Sequence, residues 1–517
     1  MPGTAPPDRN EPDPAGAPAP EDPVISAEGR FANADLLPVP LAERRWTTYN
    51  FAALWIGMAV NIPSWTLASG LVVLGMDWKQ AVLTIALGNV VVLLPMLLTG
   101  HAGPKYGIPF PVLARASFGV LGANLPALLR GLVACAWFGI QTWIGGQAIF
   151  FLGGRAFGGW WADAGQFLSC PWTRWLCFLA FLAVEILVIV RGMEAVRRLE
   201  NWAAPLMLLG AGTLLVWITD KAGGLGPLLD QPSALGWGPD FWKVFFPALM
   251  GMIGFWSTLS LNIPDFTRFG VGQRAQVWGQ TLGLPTTMAV FALLSVLVTS
   301  GSQAVYGEPI WDPSQLAARM ESTPGVLFAL FVVLMATLST NIAANLVSPA
   351  YDLSNLAPRL IDFRTGALIT CAISVVIFPW KLIENPSFYV LTWLGTVGGL
   401  LGTVAGILIA DYWVLRRTRL DVAALYRSNG TYWYAGGWNP AALTAFAVGG
   451  LLAVGGSYSA PGEGPFPADG LIPFLRPLAD YSWAVGLGSS LLLYSLLMRG
   501  RIEGRGPRSA PARRGSG

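Results

Sequence analysis

Charge and histidine are what this chain has least of. Of its 517 residues only 12% are Asp, Glu, Lys or Arg and one is histidine, while 54% are hydrophobic. Soluble domains carry about 25% charged residues, so a soluble multidomain protein of this length is excluded. The lone histidine, His101, lies in a predicted inner loop flanked by Gly and Pro, where turn chemistry explains it. An intramembrane enzyme needs a nucleophile with a base, or metal ligands, and finds little of either here. Cys135, Cys170, Cys177 and Cys371 show no CxxC spacing, and three of them sit in apolar runs, so no disulfide framework or thiolate metal site is implied. The net charge is +3 with Lys and Arg scattered between apolar runs, which excludes a nucleic-acid footprint.

Long apolar runs are what the chain does have. Windows of about 20 residues pick out about twelve candidate membrane helices. They lie near 49–74, 80–100, 125–152, 173–190, 202–219, 242–262, 280–300, 324–347, 366–383, 387–410, 438–457 and 480–498. Residues 1–45, rich in Pro, Ala and Asp, read as a disordered tail, and the basic stretch 499–517 as another. With the N-terminus inside, the inner segments hold most of the basic residues, including Arg44, Arg45, Lys105, Arg115, Arg268 and the cluster Arg416, Arg417, Arg419. Lys79, Arg155, Arg174, Lys221, Lys243, Arg319, Lys381 and Arg476 remain outside. The bias predicts an inner (plasma) membrane protein with both termini cytoplasmic.

Two of these spans carry marks of interruption. Pro63 in the first removes a backbone donor and crowds the Ala59 carbonyl, releasing carbonyls near Gly57 and Val60 that can face a cation, with the Asn61 amide at the same depth. A simple proline kink is the alternative. Gly251-Met252-Ile253-Gly254-Phe255-Trp256 suggests a second break, in the sixth span. Broken backbone inside a membrane survives only where it lines a cavity, and breaks in matching halves of a chain point to a transporter. A channel pore, by contrast, repeats one filter motif across subunits.

Polar residues at membrane depth complete the set. Ser339 and Thr340 place two hydroxyl oxygens one turn beyond the Ala336 carbonyl, a hard-oxygen set that suits an alkali cation, although such hydroxyls also bond back to their own helix. Trp137 and Gln141 share one helical face and offer a planar heterocycle a stacking surface beside an amide; Trp256 supplies a second plane. Asn345 is a further amide in need of partners. Glu185 sits among apolar residues, a candidate proton carrier or a protonated interhelical bond. Arg130 and Asp265, both near the inner face, form a candidate inner gate or a static anchor. Gly395, Gly398, Gly399, Gly402 and Gly406 in the tenth span read as a close-packing stripe.

Several of these stretches resemble a known family. Asp35-Leu36-Leu37-Pro38-Val39-Pro40, Arg44-Arg45-Trp46, Trp55 to Pro63, Trp137-Phe138-Gly139-Ile140-Gln141-Thr142-Trp143, Ser339 to Tyr351 and Asp411-Tyr412 resemble, in order, the nucleobase:cation symporter-1 family of hydantoin, allantoin, uracil and purine permeases. The resemblance implies an all-α membrane protein of LeuT type: two five-helix inverted repeats, at 46–220 and 240–412, then two extra helices in 413–498. It also implies a sodium site at the carbonyls of Gly57, Val60 and Ala336 and the hydroxyls of Ser339 and Thr340. A substrate is implied between Trp137 and Trp256, bonded by Asn61, Gln141 and Asn345. The chain departs from the family's sodium-coupled hydantoin permease in having Asn61 for Gln and Phe255 for Gly, which favours a compact ligand. The expected function is monomeric symport of a small ureide or nucleobase, allantoin first, then hydantoin or uracil, with sodium and no cofactor. A proton-coupled purine or pyrimidine permease of the same fold is the alternative.

Overall fold

The computed structural model describes residues 29–503 apart from 169, 191, 192, 378 and 384. Residues 1–28 and 504–517, most of the two expected tails, lie outside the described residues. Residues 29–45 differ from the expectation of disorder, because this short stretch holds enough apolar surface to dock. Phe31 and Leu36 are buried, Phe31 lies against Trp433, and the Tyr426 hydroxyl donates to Leu36 O at 2.7 Å. Asn33 caps the short helix Ala34–Leu36 and donates to Ser354 Oγ at 2.7 Å. Residues 499–503 continue the last helix, Ser482–Glu503.

Among the described residues, seven helices are each long and apolar enough to cross a membrane, and nine spans result if each bent pair counts as one. The shorter apolar helices Phe363–Val376 and Pro440–Val454, with Met193–Lys221, bring the set to the expected twelve. Local sequence sets their ends. Asp77 caps span 2 (Trp78–Gly100) through a reciprocal bond with Gln80, and Ser322 caps span 8 with a proline in its first turn. Span 7 (Gln273–Tyr306) stops at Gly307, whose φ of 77° a Cβ would oppose.

The spans pack in two groups. Both halves of span 1, span 2 and span 6 (Pro239–Asn262) contact span 7 or one another, while span 3 (Asn124–Phe157) packs against span 4 (Trp172–Val190), span 8 (Thr323–Asn345, continued by Val347–Leu356) and span 9 (Phe363–Val376). Span 10 (Phe388–Leu415) lies against span 6 and the last helix, with a π-helical turn at each end. A small pocket lined by residues of spans 1, 3, 6 and 8 forms at the seam between the groups.

The first break is real and the second is not. Span 1 is two helices, Thr48–Ala59 and Ile62–Val73, bent by 59°. Span 6 runs without interruption through Gly251–Trp256. Its glycines serve packing: a Cβ on Gly251 would strike Val390 O, and one on Gly254 would strike Leu394 O. Close approach of two backbones needs the same residue type as a break, and here it is the approach that occurs.

Candidate functional site

At the break the chain does more than kink. Asn61 is the N-cap of the outer half-helix: its Oδ1 accepts the Ser64 amide at 2.7 Å, and its Nδ2 donates to Met58 O at 2.5 Å. Pro63 falls in the first turn, where its missing donor costs nothing. The Asn61 amide turns to Ala59 O and the Ser64 amide to Asn61 Oδ1. The helical partners of the Gly57 and Val60 carbonyls are thus committed elsewhere, which leaves those oxygens available. Ala336, Ser339 and Thr340 are all buried on span 8, which packs against both halves of span 1. The five expected cation ligands therefore stand on elements in mutual contact.

Beside them lies the pocket. Asn61, Trp137, Gln141, Phe255, Trp256, Thr340 and Asn345 all border it, so every expected substrate residue converges on one place. Gln141 Oε1 and Trp256 Nε1 are buried and have no hydrogen-bond partner among the described residues. An orphan acceptor and an orphan donor on residues that border one cavity cost about 1–3 kcal/mol each until a guest or water satisfies them. The indoles do not face each other across open space. Phe255 packs edge-on to both, 5.0 Å from Trp137 and 4.9 Å from Trp256, and Trp393 closes on Trp137 at 4.9 Å. About 20 Å³ remains, room for roughly one water.

Glu185 sits to one side of the pocket, fully buried. Its Oε2 accepts from Thr142 Oγ1 at 2.8 Å and its Oε1 from Asn341 Nδ2 at 2.7 Å. Asn341 Oδ1 in turn accepts from Asn345 Nδ2 at 2.9 Å, so two amides connect the carboxyl to the pocket wall. The sequence displayed Asn341 without a role, since only the fold brings span 4 behind span 8.

The expected inner gate is corrected. Arg130 pairs with Asp352, Nη1 to Oδ2 at 3.0 Å, and not with Asp265, whose Oδ1 accepts the Phe110 amide at 2.8 Å. The expected end of span 8 at 347 left Asp352 in a loop; helix Val347–Leu356 carries it back under Arg130. Below this pair, Arg115 Nη2 donates to Asn355 Oδ1 at 2.6 Å. Burial lowers the Arg115 pKa to about 10, so it stays a cation at neutral pH. His101 joins span 2 to helix Ala102–Tyr106 and lies 2.9 Å from the Tyr412 hydroxyl, a junction residue that does not border the pocket.

The chain resembles known proteins in sequence and in fold. The sequence profile described as "Permease for cytosine/purines, uracil, thiamine, allantoin" matches residues 38–486. The chain is 41% identical to the allantoin permease of Bacillus subtilis over 91% of this chain and 94% of that one. It is 40% identical to the purine-uracil permease of Arabidopsis thaliana over 81% and 70%. Among solved structures it resembles Mhp1, a nucleobase-cation-symport-1 family transporter, in its inward-facing form with a TM-score of 0.75, 26% identity and coverage of 93% and 96%. The closed form with bromovinylhydantoin bound gives 0.73 at the same identity, over 93% and 98%. A chain that breaks its first span at an asparagine cap, gathers indoles and amides at that depth and matches these permeases along nearly its whole length is a multi-pass membrane transporter of the nucleobase-cation-symport-1 family.

Proposed function

We propose that this protein is a secondary active symporter that imports a small planar ureide or nucleobase, allantoin first, then hydantoin or uracil, by alternating access coupled to sodium. The observation that carries the reading is the unpartnered pair Gln141 Oε1 and Trp256 Nε1 on two residues that border one pocket. A ureide presents N–H donors and C=O acceptors at its rim and a flat face to an indole, and so meets both orphans at once. Similarity to the allantoin permease favours that ligand. Phe255 restricts the space between the indoles and favours a compact guest.

Sodium is assigned to the carbonyls of Gly57, Val60 and Ala336 and the hydroxyls of Ser339 and Thr340. Neutral hard oxygens suit a monovalent cation, and Thr340 borders the substrate pocket as well, so cation and substrate can stabilise one closed arrangement. Spans 1–5 and 6–10 are the two repeats, Arg130 and Asp352 hold the inner side shut, and the monomer lies in the plasma membrane with both termini cytoplasmic. Glu185 supports a second reading, a proton-coupled purine or pyrimidine permease, because a fully buried carboxyl reaches the pocket through Asn341 and Asn345.

Uptake into proteoliposomes with labelled allantoin, hydantoin and uracil, with and without a sodium gradient, tests the reading. Accumulation driven by sodium is expected, with Trp137→Ala weakening binding about 5- to 150-fold through loss of stacking. Thr340→Ala is expected to lose the sodium stimulation. Equal uptake with and without sodium in the wild type would overturn the coupling, and failure of all three solutes the substrate class.

A further inference from the structure

A polar cavity much larger than the central pocket lies elsewhere in the molecule. About 350 Å³ of open volume lies on the far side of Ile62 and Thr66, between spans 1, 3 and 4 and the segment after span 7, on the face that is outermost in the proposed orientation. That is many times the room left beside Trp137 and falls within the usual range of small-molecule sites, about 300–1,000 Å³.

Its polar wall is built from three side chains in series. Arg174 Nη2 donates to Gln147 Oε1 at 2.7 Å, and Gln147 Nε2 donates to Asp312 Oδ2 at 2.7 Å. The guanidinium is held 4.7 Å over the Trp143 ring, and Asp312 is fixed by its Oδ1, which accepts the Ser314 amide at 2.8 Å. Arg174 and Asp312 thus form a rigid donor and a rigid acceptor, with one carboxamide spanning the gap. Arg174 Nε is buried with no hydrogen-bond partner among the described residues, so the donor is not saturated.

A Gln side chain between these groups offers C=O to one and N–H to the other. A ureide or nucleobase carries that same pair on its ring edge. We propose that the cavity is an outer binding site for the transported solute, in which a ring carbonyl takes the Arg174 N–H groups and the adjacent ring N–H bonds Asp312, both in exchange for Gln147. Trp311 and Trp380 wall the same space and supply apolar faces for a flat ring. The exchange swaps one amide for another at unchanged hydrogen-bond count, so a solute is held weakly and passed on readily. Gln147 stands six residues beyond Gln141 on the same helix, so span 3 presents one amide to each site.

This inference rests on the ureide or nucleobase reading of the central pocket, and Cys170 provides a test that separates the two. Cys170 is a free thiol on the cavity wall, whereas Cys135, Cys177 and Cys371 are buried. In purified protein carrying Trp137→Ala, and separately Gln141→Ala to guard against a folding defect, allantoin, hydantoin and uracil are each tested for protection of Cys170 from a polar maleimide. At least one solute is expected to slow labelling severalfold, and Arg174→Gln added to either background is expected to abolish that protection. Equilibrium binding to the wild type is expected to give two molecules per chain, falling to one in Arg174→Gln. One molecule per chain with Cys170 unprotected would overturn the outer site and leave the central one standing. No binding to the wild type by any of the three solutes would overturn both.

Discussion

Arg130 Nη1 donates to Asp352 Oδ2 across 3.0 Å, and neither side chain reaches solvent. The Asn262 amide adds a polar neighbour 3.1 Å from Arg130 Nη2, so spans 3, 6 and 8 meet at one guanidinium. A buried pair is costly to split, because removing one partner strands the other charge. Asp352→Asn is expected to lower stability on the order of 3–5 kcal/mol. Asp265→Asn, which keeps an acceptor for the Phe110 amide, is expected to cost less. Thermal unfolding of the detergent-purified variants checks the order, and equal losses would return Asp265 to partnership with Arg130.

Asn61 uses both ends of its amide to hold the break open. Asn61→Ser keeps a cap acceptor and gives up the bond to Met58 O; Asn61→Ala gives up both, at about 1 kcal/mol for the cap alone. Solute uptake is therefore expected to fall in the order wild type, Ser, Ala, with thermal stability following the same order. Wild-type uptake in Asn61→Ala would show that the cap is dispensable.

Phe255 is predicted to set the upper size of the solute. Phe255→Ala removes the ring between Trp137 and Trp256 and should lower stability by about 3–5 kcal/mol, as a large-to-small change in a packed interior does. Competition binding is expected to shift toward bulkier 5-substituted hydantoins at the expense of allantoin. An unchanged preference would mean that the ring moves out of the way when solute enters.

Glu185→Gln tests the second reading of coupling. The amide keeps an acceptor for one neighbour and removes the ionisable proton. Sodium-driven uptake is expected to persist in this variant, and any response of uptake to acidification is expected to disappear. A pH response identical to that of the wild type would clear Glu185 of a role in proton movement.

What was legible in the sequence depended on distance along the chain. Trp137 and Gln141 are one turn apart, and Asn61 precedes a proline, so periodicity and local chemistry were enough to mark them. The hydroxyls of Ser339 and Thr340 are neighbours and equally visible. Contacts between distant segments were not legible. Asp352 lay past the expected end of span 8, and nothing near it in sequence pointed to Arg130. Gly251 and Gly254 were ambiguous in a different way, since glycine permits both a broken helix and a tight crossing. Only the position of Leu394 and Val390 on span 10 decides between them. Phe255 was read as a pocket residue, but its place against both indoles is a matter of side-chain packing that no spacing rule encodes.

The crossing of spans 6 and 10 has a mechanical consequence. A Cβ on Gly398 would come within 2.7 Å of Gly254 Cα, so at that point one peptide chain rests directly on another. Helices that interlock through side chains must change rotamers before they slip, whereas two smooth backbones have no teeth to disengage. Small axial sliding is cheapest at such a bare contact, and this one is two residues from Trp256. Under the proposed alternating access, a joint at this crossing would be bound into the wall of the chamber it opens.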